Sequence, residues 1–144
     1  MKLLDKSIVD GQDNMFLLQA KGDILEAEGK FAEASKAYDL AIEAASNAPD
    51  VLVNVVSAKA DVLFALDDVK LAMQTLDNFS DDTNMPTDLR SAALLHKAMM
   101  MRDSGRLRQA RLAENRAIKI AESPRERAEI EKLVQRLRAK FDDQ

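Results

Sequence analysis

Few side chains in this chain have the type and spacing that catalysis or metal binding requires. His96 is the single histidine, whereas a proton shuttle needs a partner and a metal site needs more ligands than one imidazole. The acidic stretch 81–84 offers oxygen ligands, but it lacks the central glycine and the spaced glutamate of a calcium loop. The chain has no cysteine, no glycine-rich phosphate loop and no Gly-x-Ser-x-Gly motif. We therefore expect no enzyme activity, no metal and no cofactor.

Charge is distributed unevenly along the chain. Residues 1–89 carry a net charge of −10 and residues 90–144 a net charge of +6, against −4 for the whole chain. Arginine binds phosphate in a bidentate manner, so the basic part suits an acidic protein or a nucleic acid. The net negative charge and the interspersed glutamates argue against nucleic acid. The basic side chains of the last two predicted helices include Arg108, Arg111, Arg116, Lys119, Arg127, Lys132, Arg136, Arg138 and Lys140.

The same charge distribution suits self-association. The acidic first part of one molecule could meet the basic end of another, and a head-to-tail contact of this kind builds rings or filaments. No apolar run approaches the ~18 residues of a membrane span, and residues 1–6 are interrupted by charge before a signal-peptide core could form. We therefore expect a soluble, cytoplasmic protein without a membrane partner.

A helical pattern recurs three times at a spacing of 38 residues. A period of this size is typical of stacked supersecondary units, each too small to bury its apolar face alone. Small residues in phase allow paired helices to approach closely. The positions in phase are Leu18/Val56/Leu94, Lys21/Lys59/Lys97, Gly22/Ala60/Ala98, Leu25/Leu63/Met101, Phe31/Val69/Leu107 and Ala34/Ala72/Ala110.

Each repeat is interpreted as two antiparallel helices joined by a short turn. Gly29 and Gly105 suit the left-handed end of a helix, whereas the second repeat has Asp67 at this place. Ser123 and Pro124 are typical of the start of a last helix, since serine caps it and proline fits its first turn. The predicted organisation is a lead-in segment over 1–14, three repeats over 15–122 (about 15–52, 53–90 and 91–122) and a capping helix over 123–144.

These spacings resemble the tetratricopeptide repeat (TPR) family. The first copy matches its signature through Gly22, Leu25, Gly29, Phe31, Ala34, Tyr38 and Ala41, and the third through Ala98, Met101, Gly105, Leu107, Ala110 and Ala117. The period departs from the usual 34 residues by four. The resemblance implies an all-α fold, a right-handed superhelical solenoid of three TPR helical hairpins plus a C-terminal capping helix.

By the same resemblance, the first helix of each pair lines a concave groove for a peptide. Acidic positions such as Asp23, Glu26 and Asp61 favour a protein or peptide ligand with basic groups, beside apolar patches. The lysine, asparagine and arginine clamp that one TPR subgroup uses for chaperone carboxylates is absent. The groove positions implied are Phe16, Gln19, Asp23, Glu26, Asn54, Ser57, Asp61, Phe64, Leu95, His96, Met99 and Arg102.

The sequence therefore predicts a non-catalytic adaptor or scaffold that binds a partner segment in its concave groove. One alternative is a small secretion- or folding-associated chaperone of TPR type, because three-repeat chaperones of type III secretion are similar in size and acidity. A second alternative is a self-assembling TPR structural component, which the charge asymmetry would drive.

Overall fold

Every regular element in the described chain is an α-helix. The computed structural model describes residues 14–142, with side chains for residues 14–140. Seven helices lie within that range, which confirms the all-α prediction for it. They are α1 (Asn14–Ala27), α2 (Phe31–Ala44), α3 (Pro49–Ala65), α4 (Val69–Ser80), α5 (Thr87–Asp103), α6 (Leu107–Ile120) and α7 (Pro124–Asp142).

The chain divides into two compact units between Thr75 and Leu76, within α4. We call the part before this point unit 1 and the part after it unit 2. In unit 1, α1 and α2 form an antiparallel hairpin, and α3 packs on α2 and also contacts α1. Their shared core consists of Leu18, Leu25, Ala34, Ala37, Tyr38, Ala41, Val55 and Val62.

Unit 2 contains a second hairpin, α5 and α6, with the last helix α7 packed on both of its members. Each unit thus has a hairpin followed by one helix that covers it. Because isolated helices of this length are marginally stable in water, the packing of their apolar faces rather than helix propensity holds the elements together. The core between the hairpin and α7 includes Leu94, Ala117, Ala121, Ile130 and Val134.

Three helix-ending turns share one backbone geometry at the 38-residue spacing. Gly29, Asp67 and Gly105 all have positive φ angles, of 76°, 65° and 80°. At the first turn, the N–H of Lys30 donates to the C=O of Leu25 and the N–H of Gly29 to that of Glu26, both at 2.9 Å. The same two bonds recur at the other two turns, which makes all three Schellman motifs. The repeat predicted from side-chain types is therefore present in the backbone.

Burial follows the repeat as well. The in-phase set Leu18, Val56 and Leu94 is buried in all three copies, and so are Ala60 and Ala98. The hairpin contact is closest at Gly22, which stands in phase with these alanines. A Cβ atom on Gly22 would lie within 2.9 Å of three atoms of the Tyr38 ring. Gly22 therefore lets an aromatic ring pack directly on the backbone of α1.

The four residues beyond the usual repeat length lie partly in the first helices of the later pairs, since α3 and α5 both contain 17 residues. The predicted second repeat begins at about residue 53, so Pro49 falls at the end of the predicted first repeat. In the structure Pro49 is the first residue of α3, where its missing N–H and fixed φ angle cost the helix nothing. The second repeat thus starts its helix four residues earlier than the sequence suggested.

The start of α7 is capped as its sequence predicts. The Ser123 hydroxyl accepts a hydrogen bond of 3.1 Å from the N–H of Glu126, and Pro124 is the first helical residue. The Glu126 carboxylate accepts the N–H of Glu122 at 3.2 Å and the Thr87 hydroxyl at 3.3 Å. These bonds join the start of α7 to the start of α5.

Two further predictions concern the lead-in segment and the absence of a membrane span. The predicted lead-in segment 1–14 lies outside them except for Asn14, the first residue of α1. Across residues 14–142, no helix combines the length and the apolar character that crossing a membrane requires.

Candidate functional site

An open apolar groove lies between α5 and α7 in unit 2. Its volume is about 420 Å³. Each wall presents residues spaced i, i+3, i+4 and i+7, which is one face of an α-helix. The wall from α5 consists of Ala92, Leu95, His96 and Met99, and the wall from α7 of Leu133, Arg136, Leu137 and Lys140.

Each wall of this groove contributes one large apolar side chain that remains open to solvent. Met99 on α5 is 40% exposed and Leu133 on α7 is 44% exposed. Single exposed apolar residues are ordinary, but a groove that collects several of them marks a place where a ligand can dock. Leu95 and Leu137 add partly buried apolar surface between them.

The walls of the groove are held in place from below. Leu94 on α5 and both Ile130 and Val134 on α7 are buried in the core that the two helices share with α6. Because these buried residues alternate with the groove residues along each helix, the packing orients the groove faces outward. Little ordering of the protein is needed before a ligand binds.

A buried ion cluster joins all three helices of unit 2. Glu114 on α6 and Arg102 on α5 have side chains with no solvent exposure, and they form a bidentate pair with N···O distances of 2.6 and 2.7 Å. The same carboxylate accepts a third bond of 3.1 Å from Nε of Arg138 on α7. Glu114 therefore fixes the position of α7, and with it one wall of the groove.

The charged side chains that line the groove are basic. Arg136 and Lys140 are exposed at its α7 wall, and no acidic residue lines it. From Lys132 to Lys140 the helix carries four basic side chains and no acidic one. The groove thus combines an apolar floor with a positive rim.

The structure brings three of the predicted groove residues together. Leu95, His96 and Met99 all line the α5 wall. Arg102 lies one turn further along α5, but it is only 4% exposed and its guanidinium binds Glu114 inside the unit. The sequence had placed Arg102 on the ligand surface, whereas burial and ion pairing place it in the interior.

In unit 1, two predicted acidic groove residues converge on one hydroxyl. The Tyr38 hydroxyl lies 2.6 Å from Oδ1 of Asp23 and 2.8 Å from Oε1 of Glu26. A phenol has a single hydrogen, so the two carboxylates share one donor. Burial, reinforced by the hydrogen bonds and charges of Asp23 and Glu26, raises the pKa of Tyr38 well above its usual value. These carboxylates thus stabilise the hairpin as well as facing outward.

The other predicted residues of unit 1 differ in exposure. Phe16 on α1 is 53% exposed and Gln19 is partly buried, while Asn54 and Asp61 on α3 are exposed. The two remaining positions of α3, Ser57 and Phe64, are partly buried.

The sequence-based assignment includes none of the four groove residues on α7, namely Leu133, Arg136, Leu137 and Lys140. The last helix was interpreted only as a cap. The apolar residues Ile130, Leu133, Val134 and Leu137 form one ordinary helical stripe, so the sequence gives no signal that part of it stays open. Half of that stripe covers the hairpin and the other half lines the groove.

A smaller apolar depression of about 360 Å³ lies on the outer surface of α6. Leu107 is 42% exposed and Leu112 is 61% exposed there, beside Arg108 and Arg111. This surface is also apolar and basic, but a single helix forms it, so it has no second wall to enclose a ligand.

The remaining polar side chains of the described residues can be compared with the requirements of a metal site. Residues 14–142 contain no cluster of three or more histidine and carboxylate side chains arranged to hold a metal ion. The polar networks around Tyr38 and Glu114 connect helices to one another rather than converging on a cavity.

Neither protein-family models nor curated proteins give a match to this chain. The likeness to tetratricopeptide repeats thus depends on the residues in phase and on the three turns that share one geometry.

Proposed function

We propose that this protein is a non-catalytic adaptor of TPR type that binds a segment of a partner protein in the groove between α5 and α7. The observation that carries the proposal is the groove itself, in which Met99 and Leu133 stay exposed between two firmly packed helices. The α5 wall is also the helix face that the TPR resemblance assigns to ligands, which supports the same location.

The proposed mechanism is burial of apolar surface on a preformed site. Covering the exposed parts of Met99 and Leu133 would contribute roughly 2 kcal/mol each, at ~25 cal/mol per Å² of apolar surface. The walls already have their bound positions, because the shared core and the Glu114 ion cluster hold α7 against α5. Binding would therefore cost little conformational entropy on the protein side.

The proposal also includes the wider architecture of a right-handed superhelix of three hairpins, closed by α7 as the capping helix, and a cytoplasmic location. The three Schellman turns at one spacing support a regular succession of hairpins. Regular hairpins stack into a superhelix when each rotates by a similar angle against its neighbour. Small-angle X-ray scattering of the full chain would separate an extended superhelix from a closed bundle.

The experiment that tests binding is selection from a display library of random peptides, with a groove variant and a matched control. The groove variant is Met99→Lys with Leu133→Lys, which places two charges among the apolar lining residues. The control is Leu107→Lys with Leu112→Lys, which changes two leucines of similar exposure on α6 by the same two charges. Circular dichroism establishes that both variants fold.

Peptides selected on the wild-type protein should bind the control within about twofold and the groove variant at least about tenfold more weakly, a difference of about 1.4 kcal/mol. If the control loses binding and the groove variant keeps it, the protein is an adaptor whose site lies on α6. If selection yields no binding peptide at all, the adaptor proposal is wrong.

A second candidate function is assembly with further copies of the same chain, which the exposed leucines on α6 favour. Leu107 and Leu112 lie among arginines, whereas the exposed Leu40 on α2 lies between Asp39 and Glu43. An apolar surface flanked by basic residues can pack against an apolar surface flanked by acidic residues on a second copy, which is a heterologous contact. Light scattering at low and high salt tests this function, because screening should dissociate the assembly, and Leu112→Lys should prevent it.

A further inference from the structure

The charge of the groove indicates which class of ligand it takes. Arg136 and Lys140 line the groove, and no aspartate or glutamate does. Arg136 lies in the middle of the α7 wall, between Leu133 and Leu137. The acidic residues that the sequence suggests as ligand contacts all lie in unit 1, where Asp23 and Glu26 bind Tyr38 and Asp61 lies on α3. The groove therefore has the opposite sign to the one expected.

We infer that the groove between α5 and α7 accepts an acidic amphipathic segment of a partner protein, whose apolar side chains cover Met99 and Leu133 and whose carboxylates bind Arg136. This inference deepens the proposed adaptor function and depends on it. It reverses the sequence-based expectation of a basic ligand.

The position of Arg136 favours a carboxylate ligand in particular. An arginine guanidinium matches a carboxylate with two parallel hydrogen bonds, which adds direction to the charge attraction. The flanking residues Leu133 and Leu137 place apolar surface on both sides of this guanidinium, so one segment can contact the leucines and the charge together. A lysine or arginine of a basic ligand would instead face like charge along the α7 wall.

The spacing of the lining residues sets what the ligand must look like. Both walls repeat with the i, i+3, i+4 and i+7 pattern, so the apolar floor runs along the helices, and on the α7 wall Arg136 and Lys140 add one basic residue in each of two successive turns. A segment with apolar side chains on one side and aspartate or glutamate on the other would meet the apolar floor and the basic rim together. Helical peptides bind grooves in this manner.

The test uses two synthetic fluorescent peptides that have leucines at the same positions. In one peptide every charged residue is glutamate, and in the other every charged residue is lysine. Fluorescence anisotropy measures the affinity of each for the full chain. The glutamate peptide should bind at least about tenfold more tightly than the lysine peptide, and its affinity should fall as salt rises.

Arg136→Glu should abolish or reverse this preference, and Arg127→Glu is the matched control. Arg127 is exposed on the same helix and its change alters the net charge equally. Nine residues, or two and a half turns, separate the two arginines, so Arg127 lies on the opposite side of α7. Arg127→Glu should leave the preference within about twofold if the contact is local rather than a long-range effect of charge.

The outcomes separate this inference from the proposed function. If the lysine peptide binds as well as the glutamate peptide, and Met99→Lys with Leu133→Lys abolishes that binding, the groove is an adaptor site but the acidic ligand is wrong. Equal effects of Arg136→Glu and Arg127→Glu would also overturn the inference. Binding of neither peptide, together with an empty library selection, would remove both proposals.

A lipid surface is the remaining outcome that the experiment distinguishes. Vesicles of phosphatidylcholine with and without phosphatidylserine are sedimented with the protein. Binding to the anionic vesicles that Arg136→Glu abolishes, without a preference between the two peptides, would assign the groove to a membrane and overturn the acidic-segment inference.

Discussion

In unit 1 a tyrosine and in unit 2 a glutamate occupy the same position of the repeat, since Tyr38 and Glu114 are 76 residues apart, two full periods. Their partners are in phase too, because Glu26 and Arg102 are separated by the same distance. In unit 1 a neutral hydroxyl donates toward carboxylates at the edge of the hairpin. In unit 2 a carboxylate with no exposure receives a buried guanidinium.

The comparison shows that the repeat fixes where two helices meet but not which interaction joins them. Both units bring the eighth residue of the second helix against the last turns of the first helix. One contact is a modest hydrogen bond near solvent, and the other is an ion pair that depends on both partners being present. Changes at the two positions should therefore differ in cost, although their geometry is the same.

The largest effect is expected for Glu114→Gln. This change keeps the shape of the side chain but leaves the buried guanidinium of Arg102 without its counter-charge. Breaking a buried ion pair from one side typically costs ~3–5 kcal/mol of unfolding free energy. Urea denaturation followed by circular dichroism measures it.

The control for this prediction is the double variant Arg102→Met with Glu114→Leu, which removes both charges and keeps apolar volume. Apolar replacement of a complete buried pair is often neutral or stabilising, so the double variant should be more stable than Glu114→Gln. A cost below about 1 kcal/mol for Glu114→Gln would mean that the pair is hydrated in solution and that the two units are less different than their contacts indicate.

The second prediction concerns the helix contact beneath Tyr38. Alanine normally stabilises a helix interior by ~1 kcal/mol relative to glycine, but a Cβ atom at Gly22 collides with the Tyr38 ring. Gly22→Ala should therefore destabilise the protein by ~1–3 kcal/mol, the usual cost of overpacking. A lower thermal midpoint for Gly22→Ala than for the wild-type protein would show that the clash outweighs the gain in helix propensity, and a higher one would show the reverse.

The repeat itself supplies the rescue for this variant. The second copy carries Ala60 and Leu76 at the two positions that Gly22 and Tyr38 occupy in the first. The double variant Gly22→Ala with Tyr38→Leu reproduces that pair in unit 1 and should recover most of the stability lost in Gly22→Ala. If instead the two single costs simply add, the Gly22 and Tyr38 positions are independent and the clash is not the cause.

The third prediction is the effect of pH on Tyr38. Its pKa is raised above the usual tyrosine value of 10.0 because burial and two neighbouring carboxylates disfavour the phenolate. The folded state then holds its proton more strongly than the unfolded state, so the stabilisation is complete below pH 10 and decreases as pH rises above it.

Tyr38 is the single tyrosine and there is no tryptophan, so ultraviolet absorbance of tyrosinate reports this group alone. The folded protein should show no tyrosinate signal near pH 10, while the urea-unfolded protein should titrate normally there. Tyr38→Phe should cost ~1 kcal/mol at neutral pH, less than Glu114→Gln, and should lose less stability at alkaline pH than the wild-type protein. A normal titration of the folded protein would contradict the shared hydrogen bond.

The sequence predicts the parts of this fold that depend on simple physical preferences. Small and apolar residues in phase predicted the buried positions around Leu18 and Leu94, and glycine at positions 29 and 105 predicted the left-handed turns. These signals are reliable because a core excludes water and a left-handed backbone excludes most side chains.

The site was predicted only in part, for reasons that particular residues make clear. Arg102 was assigned to the surface because a charged residue is normally exposed, and its partner Glu114 is twelve residues away on another helix. The i, i+4 spacing reveals charge pairs within one helix, but it cannot reveal a pair whose members lie on two different helices. Leu133 and Leu137 share one apolar stripe with buried Val134, so periodicity alone did not show which part of α7 stays open.

The smallest expected effect lies in the turn that both units share. Asp67 has the same left-handed conformation as Gly29 and Gly105, although it carries a side chain that this region disfavours. Aspartate tolerates the conformation better than most residues, and glycine costs extra entropy because its unfolded chain is more flexible. Asp67→Gly should therefore raise stability by only ~0.5 kcal/mol, whereas Gly105→Asp should lower it by a similar amount. A difference in thermal midpoint between these two exchanges measures whether the turn contributes equally in the two units. If Gly105→Asp costs as much as Glu114→Gln, the units differ in their turns as well as in their buried polar contacts.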